Sequence, residues 1–109
     1  MDDLIQKVDE WAEERNLISG SDPKSQTLKL MSEVGELADN INKRLDVRDD
    51  IGDCLVVLII IANQKGLTIK ECLEVAYLDI KDRKGIMIDG VFVKESDPCF
   101  YAALAMTKE

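Results

Sequence analysis

The fold of this chain is decided by the stretch DDIGDCLVVLIIIA, residues 49–62. Its last nine residues are all apolar and rich in β-branched side chains, which by propensity alone favour a strand. A strand would place Asp50 and Asp53 on opposite faces, whereas a helix places residues three apart on one face. We therefore predict a helix that ends at Lys65, before Gly66, and that is buried because it is apolar all round.

Two helices are predicted before this stretch from apolar spacing and start signals. The first covers residues 2–15, and its apolar face consists of Leu4, Ile5, Val8, Trp11 and Ala12. The second begins at Asp22-Pro23, with Asp as N-cap and Pro at the first helical position. Its predicted buried stripe consists of Leu28, Met31, Val34, Ala38, Ile41 and Leu45. Asp46 is predicted to cap the helix that follows.

A fourth helix and a hairpin are predicted after it. The helix opens with the capping box Thr68-x-x-Glu71 and ends at Gly85. Its predicted buried residues are Ile69, Cys72, Leu73, Ala76 and Ile80. Residues 86–93 form a predicted hairpin about Asp89-Gly90, a pair that tight two-residue turns favour.

Two acidic pairs carry the chemistry of the sequence. Glu33 and Glu36 lie three apart on the second helix, as Asp50 and Asp53 do on the third. If the helices face each other, four carboxylates meet and repel unless a cation lies between them. Oxygen ligands favour Mg²⁺ or Mn²⁺, and the absence of histidine excludes an imidazole-based zinc or di-iron site. The alternative is a solvated acidic helix face.

Composition excludes several classes of function. The 109 residues carry a net charge of −8, which disfavours nucleic-acid polymers as partners. The three cysteines form no C-x-x-C pair, and neither a nucleophile elbow nor a glycine-rich phosphate loop occurs. We expect no secretory signal and no membrane span, because the apolar run is too short for a bilayer, and therefore a cytoplasmic protein.

The acidic motifs carry a family resemblance. The pattern L-x-L-x-S-E-V-G-E-L at residues 28–37, followed by D-D-I-G-D-C-L at 49–55, resembles the MazG-like nucleoside triphosphate pyrophosphohydrolases. Their signature is E-x-x-E, a spacer, then E-x-x-D. The segments 77–85 and 87–94 resemble the end of such domains, so that the resemblance covers residues 4–97. Asp50 departs from the usual Glu, and Asp79 stands where many relatives carry Asn.

The resemblance implies an all-α, four-helix bundle-like domain over residues 1–97, with a small C-terminal hairpin and a tail at 98–109. It implies Mg²⁺-dependent hydrolysis of nucleoside triphosphates at the α–β bond, giving a monophosphate and pyrophosphate. The implied metal ligands are Glu33, Glu36, Asp50 and Asp53, with Glu33 or Glu36 as the catalytic base. Mn²⁺ is the alternative cation.

Basic and aromatic residues supply the candidate substrate contacts. The resemblance places Lys81 and Arg83 near the phosphates, where the alternative is cations that complement a helix C-terminus. Lys29 either contacts phosphate or forms an i, i+4 ion pair with Glu33. Trp11 either stacks on the base or anchors the core.

Partners and rival functions remain to be distinguished. An all-round apolar helix in a small chain indicates a partner surface, and we expect a homodimer or a dimer of dimers. One rival function is a dUTP-type or phosphoribosyl-ATP pyrophosphohydrolase on the same plan. Another is a non-catalytic, metal-binding helical interaction module.

Overall fold

The computed structural model describes residues 2–83, 85–94, 101, 102 and 105. Within these residues, the elements are α1 (Asp2–Glu14), α2 (Pro23–Asn42), α3 (Arg48–Gln64), α4 (Ile69–Ile80), β1 (Gly85–Ile88) and β2 (Val91–Lys94). The chain divides into two compact units, Met1–Leu73 and Glu74–Glu109. The prediction of an all-α fold with a small C-terminal hairpin is confirmed. The tail predicted at 98–109 lies almost wholly outside the described residues.

α3 is the centre of the first unit, because α1 and α2 both pack against it. The buried apolar side chains of this unit are Ala12 of α1 and Val57, Ile59, Ile60 and Ala62 of α3. Packing between two helices outweighs the β-propensity of the segment, so the prediction of a helix is confirmed. The predicted burial all round is wrong. Ile51, Leu55 and Leu58 are exposed, because two neighbouring helices cover only part of the circumference of α3.

The start of α2 follows the predicted signals, whereas the start of α3 does not. Asp22 is the N-cap of α2, and its Oδ1 accepts a hydrogen bond of 2.8 Å from the N–H of Ser25. The N-cap of α3 is Val47, not Asp46 as predicted, and its side chain makes no capping bond. Asp46 instead accepts from the N–H of Arg48 at 3.0 Å and pairs with the Arg48 guanidinium at 2.7 Å.

The end of α3 and the start of α4 confirm their predictions. Lys65 is the C-cap of α3, and Gly66 has a φ of +72°, a left-handed conformation that glycine adopts without strain. In the capping box, the Thr68 N–H donates to Glu71 at 2.6 Å and the Glu71 N–H donates to Thr68 at 3.1 Å.

The end of α4 and its burial differ from prediction. α4 ends at Ile80, and Gly85 is the first residue of β1. A Cβ atom at Gly85 would lie 2.5 Å from the Phe92 ring, so this glycine serves strand packing and does not terminate the helix. No residue of α4 is buried, and Leu73 is 68% exposed, so the predicted buried set is wrong.

The predicted buried stripe of α2 is also wrong. Its large apolar side chains are exposed: Leu28, Met31, Val34, Ile41 and Leu45. The buried and half-buried positions of α2 include Gln26, Leu30, Glu33, Leu37 and Asn40, at heptad-like spacings of four and three residues. α2 therefore turns a partly polar face towards its own unit and leaves its more apolar face to solvent.

The second unit contains the hairpin, with β1 antiparallel to β2 and Ile86 opposite Val93. Asp89 and Gly90 have φ values of 50° and 79°, as a type I′ turn requires, so the predicted turn is confirmed. In the described part of the chain, no single helix is long and apolar enough to cross a membrane. Only α3 and α4 counted together, across a bend, reach that length and composition.

Candidate functional site

Three carboxylates meet where α2 packs on α3. Glu33 and Glu36 of α2 and Asp53 of α3 each offer an oxygen, and these oxygens lie within 4.8 Å of one another. Glu33 is 7% exposed, Asp53 is half-buried and Glu36 is exposed. The cluster thus has a buried floor and an open mouth, through which a cation and a ligand can enter.

The electrostatics of this cluster favour a cation. Repulsion from Glu33 raises the pKa of Glu36 above its ordinary value, with burial as a further cause. Burial raises the pKa of Asp53, and repulsion from Asp49, Glu33 and Asp50 adds to that shift. Glu36 and Asp53 are therefore harder to ionise than in free solution, and a divalent cation between the carboxylates would offset the repulsion.

Glu33 has only part of the partners that a buried carboxylate needs. Its Oε1 lies 3.0 Å from Lys29 Nζ and accepts a hydrogen bond from it. This hydrogen bond raises the pKa of Lys29. Its Oε2 is buried and has no hydrogen-bond partner among the described residues. An orphaned buried oxygen is costly, and coordination to a metal would satisfy it. The all-oxygen donor set fits Mg²⁺ or Mn²⁺.

Asp50 is not one of these three carboxylates, although its charge contributes to the raised pKa values of Glu36 and Asp53. The structure brings together three of the four carboxylates that the sequence proposed as ligands, and Asp50 does not join the set within 4.8 Å. Its side chain is 8% exposed, and both of its oxygens accept from Asn40 Nδ2, at 3.0 and 3.1 Å. Asn40 went unrecognised in the sequence, although it follows Glu36 by four residues and thus shares its side of α2.

A cavity of about 440 Å³ opens beside the carboxylates. It is lined by Trp11, Leu17, Gln26, Lys29, Glu33, Asp53, Val56, Val57 and Ile60. Most of this lining is apolar. Its charged side chains are those of Lys29, Glu33 and Asp53. An apolar chamber with a few convergent polar groups is typical of a small-molecule site. Gln26 is a second lining residue that the sequence analysis did not single out.

Trp11 is a wall of this cavity and not a buried anchor. It is 43% exposed, and the Arg15 guanidinium lies 4.7 Å from the centre of its ring. A second cavity of about 420 Å³ shares Trp11 and Asp53 and adds Lys7 of α1 to the polar lining. An aromatic ring and a carboxylate cluster therefore border the same space.

Comparison with known proteins bears on what this arrangement is. The family model of the MazG nucleotide pyrophosphohydrolase domain matches residues 21–92, more than half of the chain. The chain belongs to this family. The matched segment of the MazG domain contains α2, α3, α4 and both acidic pairs, whereas α1, with Trp11 and Lys7, precedes it.

One similar protein is an uncharacterized 18.2 kDa protein from the rep-hol intergenic region of Haemophilus phage HP1 (strain HP1c1). It is 46% identical to this MazG chain over 66 residues, which cover 59% of the chain and 40% of the phage protein. The chain thus spans well under half of that relative. No solved structure is significantly similar to this chain.

The predicted phosphate contacts Lys81 and Arg83 belong to the second unit of the MazG chain. Both are exposed. Arg83 Nη2 lies 3.0 Å from Asp79 Oδ2, an i, i+4 ion pair. Asp79 stands at the position where the family resemblance expects Asn. Its ion pair with Arg83 occupies part of the guanidinium donor group of Arg83. The contact of Lys81 and Arg83 with phosphate stays a prediction.

Proposed function

We propose that this protein hydrolyses nucleoside triphosphates between the α- and β-phosphates, in the presence of Mg²⁺, to a nucleoside monophosphate and pyrophosphate. The observation that carries the proposal is the shared border of the cavity. Trp11 and other apolar side chains line the cavity together with the carboxylates of Glu33 and Asp53. A nucleotide likewise combines a flat base with a charged, metal-binding phosphate chain.

The residues of the cluster take the following parts in the proposal. Glu33, Glu36 and Asp53 would hold the cation, and Mn²⁺ would fit the same oxygens. A bound Mg²⁺ would supply positive charge to the phosphate oxygens and would lower the pKa of a nearby water molecule. Hydrolysis consumes one water molecule, breaks one anhydride bond and releases a proton. Glu36 is the better placed of the two glutamates to accept the proton, because Glu33 is buried and paired with Lys29.

The remaining substrate contacts rest on different support. For Trp11, the support is its exposed ring at the cavity, on which a base would stack. For Lys29, it is the position of the ammonium beside Glu33, at the cavity wall, where it would also approach a phosphate oxygen. For Lys81 and Arg83, the support is the family resemblance alone.

The test is pyrophosphate release from separate nucleoside triphosphates, including dUTP, and from phosphoribosyl-ATP, with Mg²⁺ and with EDTA. We expect Mg²⁺-dependent release by the wild type. Asp53→Asn should abolish it and keep the fold, because the amide has the same shape and no charge. Asp39→Asn is the matched control, since Asp39 is an exposed carboxylate of α2 that is paired with Lys43 and is not one of the three clustered carboxylates. Preference for dUTP or phosphoribosyl-ATP would assign the related activities. A metal-binding protein without turnover on any of them would be an interaction module.

We further propose that the chain acts as a homodimer, with or without pairing of dimers. The exposed apolar face of α2 and the exposed side of α3 belong to one unit, whose helices pack on each other. Met31 of α2 is 66% exposed and Leu55 of α3 is 40% exposed. A second copy would present the same apolar surface, so that a two-fold contact would cover both at once.

Sedimentation of two matched variants tests the dimer. Met31→Glu should dissociate it, because the substitution puts a charge into the proposed contact. Met87→Glu changes a methionine of similar exposure, 60%, in the hairpin and should leave the dimer intact. Dissociation by Met87→Glu alone would place the contact elsewhere, and a wild-type monomer would refute the proposal.

A further inference from the structure

Gln26 supplies the one amide side chain among the described residues that line the cavity of about 440 Å³. It is half-buried near the start of α2, whereas the other lining side chains are charged, aliphatic or, at Trp11, aromatic. An amide presents a hydrogen-bond donor and an acceptor in one plane, which is how glutamine recognises the edge of a base. The cavity therefore combines a ring on which a base would stack with a group that would bond to its edge.

The orientation of the Gln26 amide is set by the loop between α1 and α2. Its Nε2 donates to Ser21 Oγ at 3.0 Å, and the side chain has no other hydrogen-bond partner within the described residues. The loop is in turn held by α3, because Gln64 Nε2 donates to the carbonyl oxygens of Leu17 and Ile18, at 3.4 and 3.2 Å. One N–H of the Gln26 amide is thus occupied, and its Oε1 is left to accept a hydrogen bond from a ligand.

Helical spacing places Gln26 at a suitable distance from the carboxylates. Lys29 and Glu33 follow it by three and seven residues, so the three side chains share one side of α2, and all three line the cavity. Seven residues correspond to about 10 Å along a helix axis. A nucleotide extends over a similar length from the Watson–Crick edge of its base to its phosphate chain. Gln26 and Glu33 can therefore contact the two ends of one nucleotide.

We propose that Gln26 is a specificity-determining residue whose Oε1 accepts a hydrogen bond from an N–H on the edge of the base, and that Ser21 is the positioning residue for its amide. This inference rests on the proposed function for the presence of a nucleotide in the cavity. The N–H belongs to the exocyclic amino group in cytosine and adenine and to the ring in uracil, thymine and guanine. Stacking on Trp11 accepts any base, whereas a hydrogen bond discriminates against a base that lacks the donor.

Base analogues without the N–H test the contact directly. The values of kcat/KM are compared for each natural triphosphate and for the triphosphate of 2-pyrimidinone or of unsubstituted purine, which keep the flat ring and lack the donor. For its best natural substrate, the wild type should lose at least about tenfold on this change. Gln26→Met, which has a side chain of similar length without an acceptor, should show little difference between the two. An equal loss in wild type and Gln26→Met would overturn the inference.

Two further variants separate the acceptor from packing. Gln26→Glu keeps an acceptor oxygen and should retain most of the wild-type difference between natural substrate and analogue, even if its added charge slows both. Gln6→Met is the matched control, because Gln6 is an exposed glutamine of α1 outside the lining of this cavity, and it should retain the full difference. A loss of the difference in Gln6→Met or in Gln26→Glu would contradict an acceptor role of Gln26.

Ser21→Ala tests the orientation of the amide. It should reduce the difference between natural substrate and analogue and keep kcat, whereas a merely structural role would lower the melting temperature and leave that difference unchanged. A wild type that hydrolyses natural and analogue triphosphates equally well would overturn recognition by Gln26 and leave the proposed function intact. A wild type that hydrolyses none would refute the proposed function. Calorimetric titration with the same pairs would then decide on Gln26, and binding without base preference, or no binding, would overturn its role.

Discussion

Replacing Glu33 by glutamine should reverse the order of stability between the metal-free and metal-bound protein. Glu33 shares the cluster with Glu36 and Asp53, with oxygens no farther than 4.8 Å apart. At that distance, one pair of charges repels by about 0.9 kcal/mol at the dielectric constant of water and about 3.5 kcal/mol at an effective value of 20. Because the mouth of the cluster is open, we take about 1 to 3 kcal/mol as the relief on removing the Glu33 charge.

The substitution has a smaller cost. The ion pair with Lys29 is lost, but Lys29 is 59% exposed at its side chain and such i, i+4 pairs contribute about 0.3 to 0.5 kcal/mol. In addition, the new amide N–H₂ takes the place of the orphaned Oε2 and can donate to a neighbouring carboxylate. In EDTA, Glu33→Gln should therefore melt above wild type by several degrees, since about 1 kcal/mol corresponds to about 4 to 8 °C in a domain of this size.

Magnesium should invert this order. Binding to the folded state alone stabilises wild type by about 2.7 kcal/mol when free Mg²⁺ is a hundredfold above its dissociation constant. The glutamine variant lacks one ligand and gains little. Scanning calorimetry of both proteins in EDTA and in excess Mg²⁺ measures the crossover. Asp39→Asn is the control, because it loses a similar i, i+4 ion pair, to Lys43, without relieving a cluster. A glutamine variant less stable than wild type by the same amount in both buffers would refute the reasoning.

Three further predictions concern the pH dependence of stability, the contact with the base and the contact with phosphate. In EDTA, stability should fall as the pH rises above the ordinary carboxyl range, because the raised pKa values of Glu36 and Asp53 let the folded state hold protons that the unfolded state has released. The fall should be shallower in Asp53→Asn, by thermal melts across pH. Trp11→Ala should weaken nucleotide binding by about 1 to 3 kcal/mol with a base-dependent ranking, while Trp11→Phe retains most of it, by calorimetric titration; an unchanged ranking would argue against stacking. Arg83→Lys should lower kcat by a similar factor for every nucleotide, because lysine cannot replace a bidentate fork; a base-dependent loss would contradict a phosphate role.

Local signals in the sequence predicted the ends of most elements. The Asp22 cap, the Thr68 capping box, Gly66 after α3 and the Asp89-Gly90 turn all depend on bonds between residues a few positions apart. Such bonds are encoded where they form, so no knowledge of packing is needed to find them. The predicted cap at Asp46 and the end of α4 at Gly85 were wrong. At Gly85 the close approach of Phe92 from another strand decides the role of the glycine.

Burial was predicted less well, because it depends on which helix covers which face. The stripe of α2 that contains Leu28 and Met31 is the more apolar one, and hydrophobic spacing alone favours it as the inner face. The structure instead turns Glu33 and Asn40 towards α3. A helix that carries a functional site directs polar residues into its own unit. A prediction that chooses the most apolar face of the helix as the buried one then selects the opposite face.

The sequence by itself determined the chemistry that this site can perform. Two acidic i, i+3 pairs in a chain without histidine restrict the ligands to oxygen, and helical spacing places each pair on one face. Only the tertiary structure decided how the pairs meet. Packing of α2 on α3 brings Glu33, Glu36 and Asp53 together, turns Asp50 to Asn40, and adds Trp11 from α1 to the cavity wall. Spacing along a helix fixes the angle between side chains of that helix, whereas the distance between side chains of different helices depends on the rotation and register of their packing.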